Sequence, residues 1–93
     1  MNETNQTMEK RKIIDSVQKF IFNQFPAARH RSLGDTDPLL ESGIIDSLGV
    51  LDVVGFIESE FKIAVDDEDL TPENFQNIRQ ISEFVEKKIL AAA

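Results

Sequence analysis

Apolar residues recur at intervals of three and four along three stretches of this chain, and that spacing decides its fold class. In the first stretch Ile13, Ile14, Val17, Phe20, Ile21 and Phe25 form one stripe. Lys10, Arg11, Lys12, Asp15 and Lys19 fall on the opposite face. In the second, Val50, Val53, Val54, Ile57 and Phe61 share a side, and Leu48, Asp52, Gly55 and Ser59 oppose them. Leu51 and Glu58 lie near one boundary of that helix, Phe56 and Glu60 near the other. In the third, Ile78, Ile81, Phe84, Val85 and Ile89 line up. A residue advances about 100° around an α-helix, so such stripes mark helices with one buried face. The spacing predicts an all-α domain with a core that includes Ile14, Val17, Ile21, Val54, Ile57, Phe61, Ile81 and Val85.

The breaks between the stripes are equally legible. Pro26 ends the first helix near Gln24, because the residue before a proline avoids helical angles. Residues 27–42 form a long connection rich in Gly, Pro, Asp and Ser, with Leu33, Leu39, Leu40 and Ile44 as apolar pins onto the core. Thr71-Pro72-Glu73 opens a short helical turn to about Phe75, with Thr as cap and Pro in the first turn. Asn77 caps the last helix and Gln80 stands three residues on, a capping-box arrangement. Lys87 and Lys88 sit where a helix dipole favours cations. Residues 1–7 are expected to form a disordered tail, residues 8–90 the folded domain, and Ala91–Ala93 a frayed end.

Ninety-three residues suffice for one domain. No apolar run approaches the ~20 residues of a membrane-spanning helix, and the polar first residues do not resemble a signal peptide, so a cytoplasmic location is expected. Without cysteine, the chain has no disulfide and no thiolate metal site. The net charge of −7 is unevenly placed. Residues 1–33 hold six Lys/Arg against three Asp/Glu, and residues 76–93 three against two. Residues 34–75 hold twelve Asp/Glu against Lys62 alone, a local −11. Such a field repels nucleic acid and anionic lipid headgroups and suits a protein partner with a basic surface.

Within the acidic segment, Gly43-Ile44-Ile45-Asp46-Ser47-Leu48 places a turn before the second helix and Ser47 at its first residue, with the hydroxyl at the surface. Helix N-termini offer unpaired N–H groups and partial positive charge, which suits a phosphate ester on that serine. A hydrolase built on Ser47 lacks its parts. The residues Ile45-Asp46-Ser47-Leu48-Gly49 are not Gly-x-Ser-x-Gly, and the lone histidine, His30, reads as solvated between Arg29 and Arg31. The run Asp66-Asp67-Glu68-Asp69 lacks the alternating ligands, central Gly and terminal Glu of a calcium loop, so it reads as a solvated charge run. No catalytic and no metal-ligating residue is assigned.

Leu39-Leu40-Glu41-Ser42-Gly43-Ile44-Ile45-Asp46-Ser47-Leu48, with Glu68-Asp69-Leu70-Thr71-Pro72-Glu73-Asn74-Phe75 further on, resembles the acyl carrier protein family, peptidyl carriers included. The resemblance spans about Met8 to Leu90. It implies a four-helix bundle with a short third helix and a long loop between helices one and two. It implies that Ser47, flanked by Asp46 and Leu48, carries 4′-phosphopantetheine from coenzyme A, and that the arm holds an acyl or aminoacyl group as a thioester. The implied partners are a phosphopantetheinyl transferase, an adenylating or acyl-loading enzyme, and downstream processing enzymes, which dock in turn on a monomer through Glu41, Leu48, Asp52, Gly55, Glu58 and Ser59. The family's carriers of fatty acid synthesis typically have an acidic residue where Gly49 stands and a larger apolar residue where Gly55 stands, so the chain looks more like stand-alone carriers of specialised pathways. Phe56, at the core boundary, is expected to narrow an interior cavity and disfavour a long acyl chain. The reading from another class is an unmodified helical adaptor that uses the same acidic face.

Overall fold

A computed structural model describes residues 2–29 and 33–92, with side chains from Lys10 to Arg29 and from Leu33 to Ala91. Its elements are helical throughout. They are α1 (Asn2–Gln24), a single turn α2 (Pro26–Arg29), α3 (Ser47–Phe61), two 3₁₀ turns (Asp67–Asp69 and Pro72–Phe75) and α4 (Ile78–Ala92). No strand occurs among the described residues. Three long helices with a short helical turn between α3 and α4 form the four-helix arrangement that the resemblance implies. His30 lies outside the described residues.

The helices are longer than the apolar stripes. α1 begins at Asn2, six residues before the expected start, and so takes in residues read as a disordered tail. Between Asn2 and Met8 stands neither Gly nor Pro, and adding residues to an existing helix avoids the nucleation penalty. α4 likewise includes Ala91 and Ala92, since alanine is the best helix former. Pro26 ends α1 where expected, and then serves as first residue of α2. Arg29 folds back to close α1, its guanidinium donating to the carbonyls of Phe22 (2.7 Å) and Asn23 (2.9 Å).

Fully buried residues from every long helix meet in one core, among them Val17, Ile21, Val53, Ile57, Ile78, Ile81 and Val85. Burying each such side chain contributes about 1.5–3 kcal/mol. Ile14, Val54 and Phe61, expected in the centre, are only partly buried and pack around it. The buried line of α3 is Gly49, Val53 and Ile57, which turns Val50 and Phe61 toward the boundary. Buried Ser82 donates its hydroxyl to the Ile78 carbonyl at 2.8 Å and so leaves no polar group unpaired.

The long connection is pinned by Leu33, Leu39 and Ile44, all buried, and by Leu40 less deeply. Ile45, not foreseen as a pin, is buried as well. Backbone bonds tie the connection to the start of α4, from Leu39 N–H to the Gln76 carbonyl and from Arg79 N–H to the Asp35 carbonyl, both 2.8 Å. Asn77 caps α4 as expected, accepting from Gln80 N–H at 2.7 Å. Thr71 occupies the cap position of the second 3₁₀ turn, but its side chain makes no capping bond; its carbonyl instead accepts from Asn74 N–H at 3.2 Å.

Candidate functional site

Ser47 is the first residue of α3 and is exposed. The approach to it is set by a sharp turn. Gly43 takes φ 79°, a left-handed conformation that costs glycine no steric penalty, and its N–H reaches the Leu40 carbonyl at 3.2 Å. Ile45 N–H then bonds the Leu39 carbonyl at 3.1 Å, and Ile44 and Ile45 anchor in the core. Asp46 is the N-cap, its carboxylate accepting from Gly49 N–H at 2.8 Å. The N–H groups of Ser47 and Leu48 have no intrahelical partner, because they belong to the first turn. Nearby Ser42 donates its hydroxyl to the carbonyls of Pro38 and Leu39. Ser47 is thus exposed at the positive end of a 15-residue helix.

Beside Ser47 opens a hollow of about 270 Å³ lined by Leu40, Ser47, Val50, Leu51, Leu70, Thr71, Pro72 and Phe75. One wall belongs to α3, the other to the second 3₁₀ turn and the residues before it. The alignment of Leu51 and Leu70 across it was not foreseen. Both are apolar residues outside the helical stripes, at 56% and 40% exposure, and that was their one sequence signal.

The expected docking residues do not form a uniform set. Leu48 (73% exposed), Asp52, Gly55, Ser59 and Glu41 are all open to solvent. Glu58 is half-buried and accepts Val65 N–H at 2.9 Å, which ties the following loop to α3. Gly49 is buried beneath Phe25 and Ile45, so packing, with no need of a docking argument, accounts for the missing acidic side chain at that position. Phe56 stacks on Phe20 with centroids 4.3 Å apart, and its edge-to-face partner is Phe61. It does not line the hollow beside Ser47.

The acidic run is also organised. Lys88 Nζ lies 2.6 Å from Asp69 Oδ2 and 3.3 Å from Asp66 Oδ2. The hydrogen bond from Lys88, with a second from Asp66 N–H, holds the Asp69 carboxyl below its usual range, and the same pairing raises Lys88. Lys88 therefore serves an ion pair in the body of α4 and not, as expected, its C-terminal dipole. Among the described residues, no group of acidic or histidine side chains is arranged to hold a metal ion.

Residues 24–85 match the family described as "Phosphopantetheine attachment site". The chain belongs to that family. Among curated proteins it is similar to the "probable acyl carrier protein PigG" of Serratia sp. (strain ATCC 39006), 28% identical over 67 residues that cover 72% of this chain and 77% of that protein. Among solved structures it is similar to a chain in one described as "Crystal structure of FAD-dependent dehydrogenase", with a TM-score of 0.67 and 26% identity over 74% of this chain and 97% of that one. The chain is thus a carrier protein, not an enzyme, and its prosthetic group is covalently attached 4′-phosphopantetheine. That sets the unmodified adaptor aside. The residues around the start of α3 fit the group: an exposed serine hydroxyl, first-turn N–H groups for a phosphodiester, and an apolar hollow within reach of an arm.

Proposed function

We propose that Ser47 is the attachment residue, with Asp46 and Leu48 shaping its surroundings, and that the carrier delivers an acyl or aminoacyl group to the enzymes of a specialised biosynthetic pathway in the cytoplasm. The observation that carries this is the exposed Ser47 hydroxyl at the first position of α3, inside the matched residues and at the edge of the hollow. Bound there, the arm supplies a thiol that holds the cargo as a thioester. Asp46 holds the first turn through Gly49 N–H, and the N–H groups of Ser47 and Leu48 would hold the phosphodiester at the favourable end of the helix dipole. The hollow shields the cargo in transit through Leu40, Val50, Leu51, Leu70 and Phe75.

Transfer needs partners that bind briefly. Leu48 supplies an exposed apolar contact, and Asp52, Glu41, Gly55 and Ser59 surround it with an open acidic face. Such a surface steers basic partners quickly and releases them quickly. The same charge keeps copies of the monomer apart. The partners are a phosphopantetheinyl transferase, a separate adenylating or acyl-loading enzyme, and processing enzymes. Among the last, an FAD-dependent dehydrogenase is favoured, because the similar solved structure is described as that of one. The matched chain there is shorter than this one, so the likeness is to a carrier-sized polypeptide.

The deciding measurement is intact mass after treatment with coenzyme A and a broad-specificity transferase. Wild type gains one phosphopantetheinyl group and Ser47→Ala gains none. A modified Ser47→Ala protein places the arm elsewhere and overturns the assignment.

A further inference from the structure

One wall of the hollow is organised by a single residue, Asp69. Its carboxylate accepts from Lys88 Nζ at 2.6 Å and from Asp66 N–H at 2.9 Å. Its carbonyl accepts from Thr71 N–H and from Asn74 Nδ2, each at 2.8 Å. Leu70, Thr71, Pro72 and Phe75, the residues that line the hollow on this side, follow directly. Lys88 reaches the same wall by a second route. Its ammonium lies 5.7 Å from the centroid of the Phe84 ring, and Phe84 packs on Phe75 with centroids 5.9 Å apart.

Both salt bridges among the described residues use Lys88. Without it, Asp66, Asp67, Glu68 and Asp69 would be four adjacent anions with no cation paired to them among the described residues, and like charges at such spacing repel. The far end of the loop stays tied to α3 through Glu58 and Val65. Losing Lys88 would therefore loosen the Asp66–Leu70 side of the hollow, while Phe75 stays buried in the core and Val65 stays tied to α3.

Resting on the reading of Ser47 as the attachment residue, we propose that Lys88 is a positioning residue for the cargo: it holds the Leu70–Phe75 wall in place and so sets how well a group on the arm is shielded from water. The chain has one α4 cation acting on the cargo side of a hollow that α4 does not line.

The test loads wild type, Lys88→Met, Lys88→Arg, Asp69→Asn and Lys87→Met with hexanoyl- or acetyl-phosphopantetheine, using the corresponding acyl-coenzyme A and a broad-specificity transferase. Loading is verified by mass and helicity by circular dichroism. Thioester hydrolysis is then followed for both cargoes. The acetyl group has a single methyl for the wall to cover and serves as the internal reference, which a merely structural role would not separate from hexanoyl. In wild type, hexanoyl is hydrolysed severalfold more slowly than acetyl. Lys88→Met and Asp69→Asn lose that difference, whereas Lys88→Arg and Lys87→Met keep it. If Lys88→Met fails to fold, Asp69→Asn decides, since it retains the carbonyl that binds Thr71 and Asn74. Loaded variants whose hexanoyl-to-acetyl ratio equals that of wild type, or a wild type with no difference, overturn this inference alone. A wild-type chain that accepts no acyl-phosphopantetheine overturns the Ser47 assignment, and this inference with it.

Discussion

Phe25 lies against the bare face of Gly49: a Cβ on that glycine would stand 2.9 Å from Phe25 Cε1 and 2.8 Å from Ile45 Cγ2. The turn after α1 thereby packs on the first turn of α3, two residues from Ser47. Gly55, in the same helix, meets nothing within 4 Å. The two glycines should respond oppositely to alanine. Gly55→Ala gains about 0.5–1 kcal/mol from helix propensity alone. Gly49→Ala has the same propensity gain, but overpacking against branched, buried Ile45 costs about 1–3 kcal/mol, so a net loss is expected. Urea denaturation of the two variants checks the signs.

Lys62 closes α3 at φ 56°, the left-handed region where a side chain is strained. Glycine escapes that strain, which is about 1–2 kcal/mol, at some cost in unfolded-chain entropy. Lys62→Gly should raise stability by about 0.5–1 kcal/mol. A melting temperature at or below that of wild type would count against the conformation.

The Lys88–Asp69 pair makes stability pH-dependent in a definite direction. Asp69 has its folded pKa depressed, so its contribution is complete above the unfolded value near 3.8 and is lost as pH falls through the folded one. Lys88 has its folded pKa raised, so its contribution is complete below about 10.5 and is lost as pH rises through the folded value. The stability gap between wild type and Lys88→Met should stay constant between those limits and shrink beyond each. Denaturation midpoints of both proteins across the acid range test the first limit.

Asp52 is exposed on the side of α3 that carries Leu48, while Glu58 is engaged with Val65. Asp52→Lys should slow transfer of phosphopantetheine without altering stability, and added salt should slow wild type too, because exposed charges are screened beyond ~8–10 Å. Glu58→Lys should slow transfer and also loosen the 62–70 loop. Transferase kinetics at two salt concentrations, with a melting curve for each variant, separate the two effects.

The three long helices, the end of α1 at Pro26, the cap at Asn77 and the place of Ser47 as first residue of α3 were legible in the sequence, whereas the turn Pro26–Arg29 and the 3₁₀ turn Asp67–Asp69 fall in stretches read as loop. They depend on turns, caps and apolar spacing within a few residues, where propensity and patterning act. The partner of each side chain across the fold was not. Phe25 and Ile45 over Gly49, Phe20 under Phe56, Leu51 facing Leu70, Glu58 on Val65 and Lys88 on Asp69 join residues from different elements or from the far ends of a loop. Stripe geometry tells which side of a helix is buried, but not which neighbour buries it. A shift of one position along α3 moves Val50 and Phe61 to the rim and puts Gly49 in the centre. Ser47 was set by local chemistry, whereas the hollow beside it exists only because packing brings α3 and the second 3₁₀ turn together.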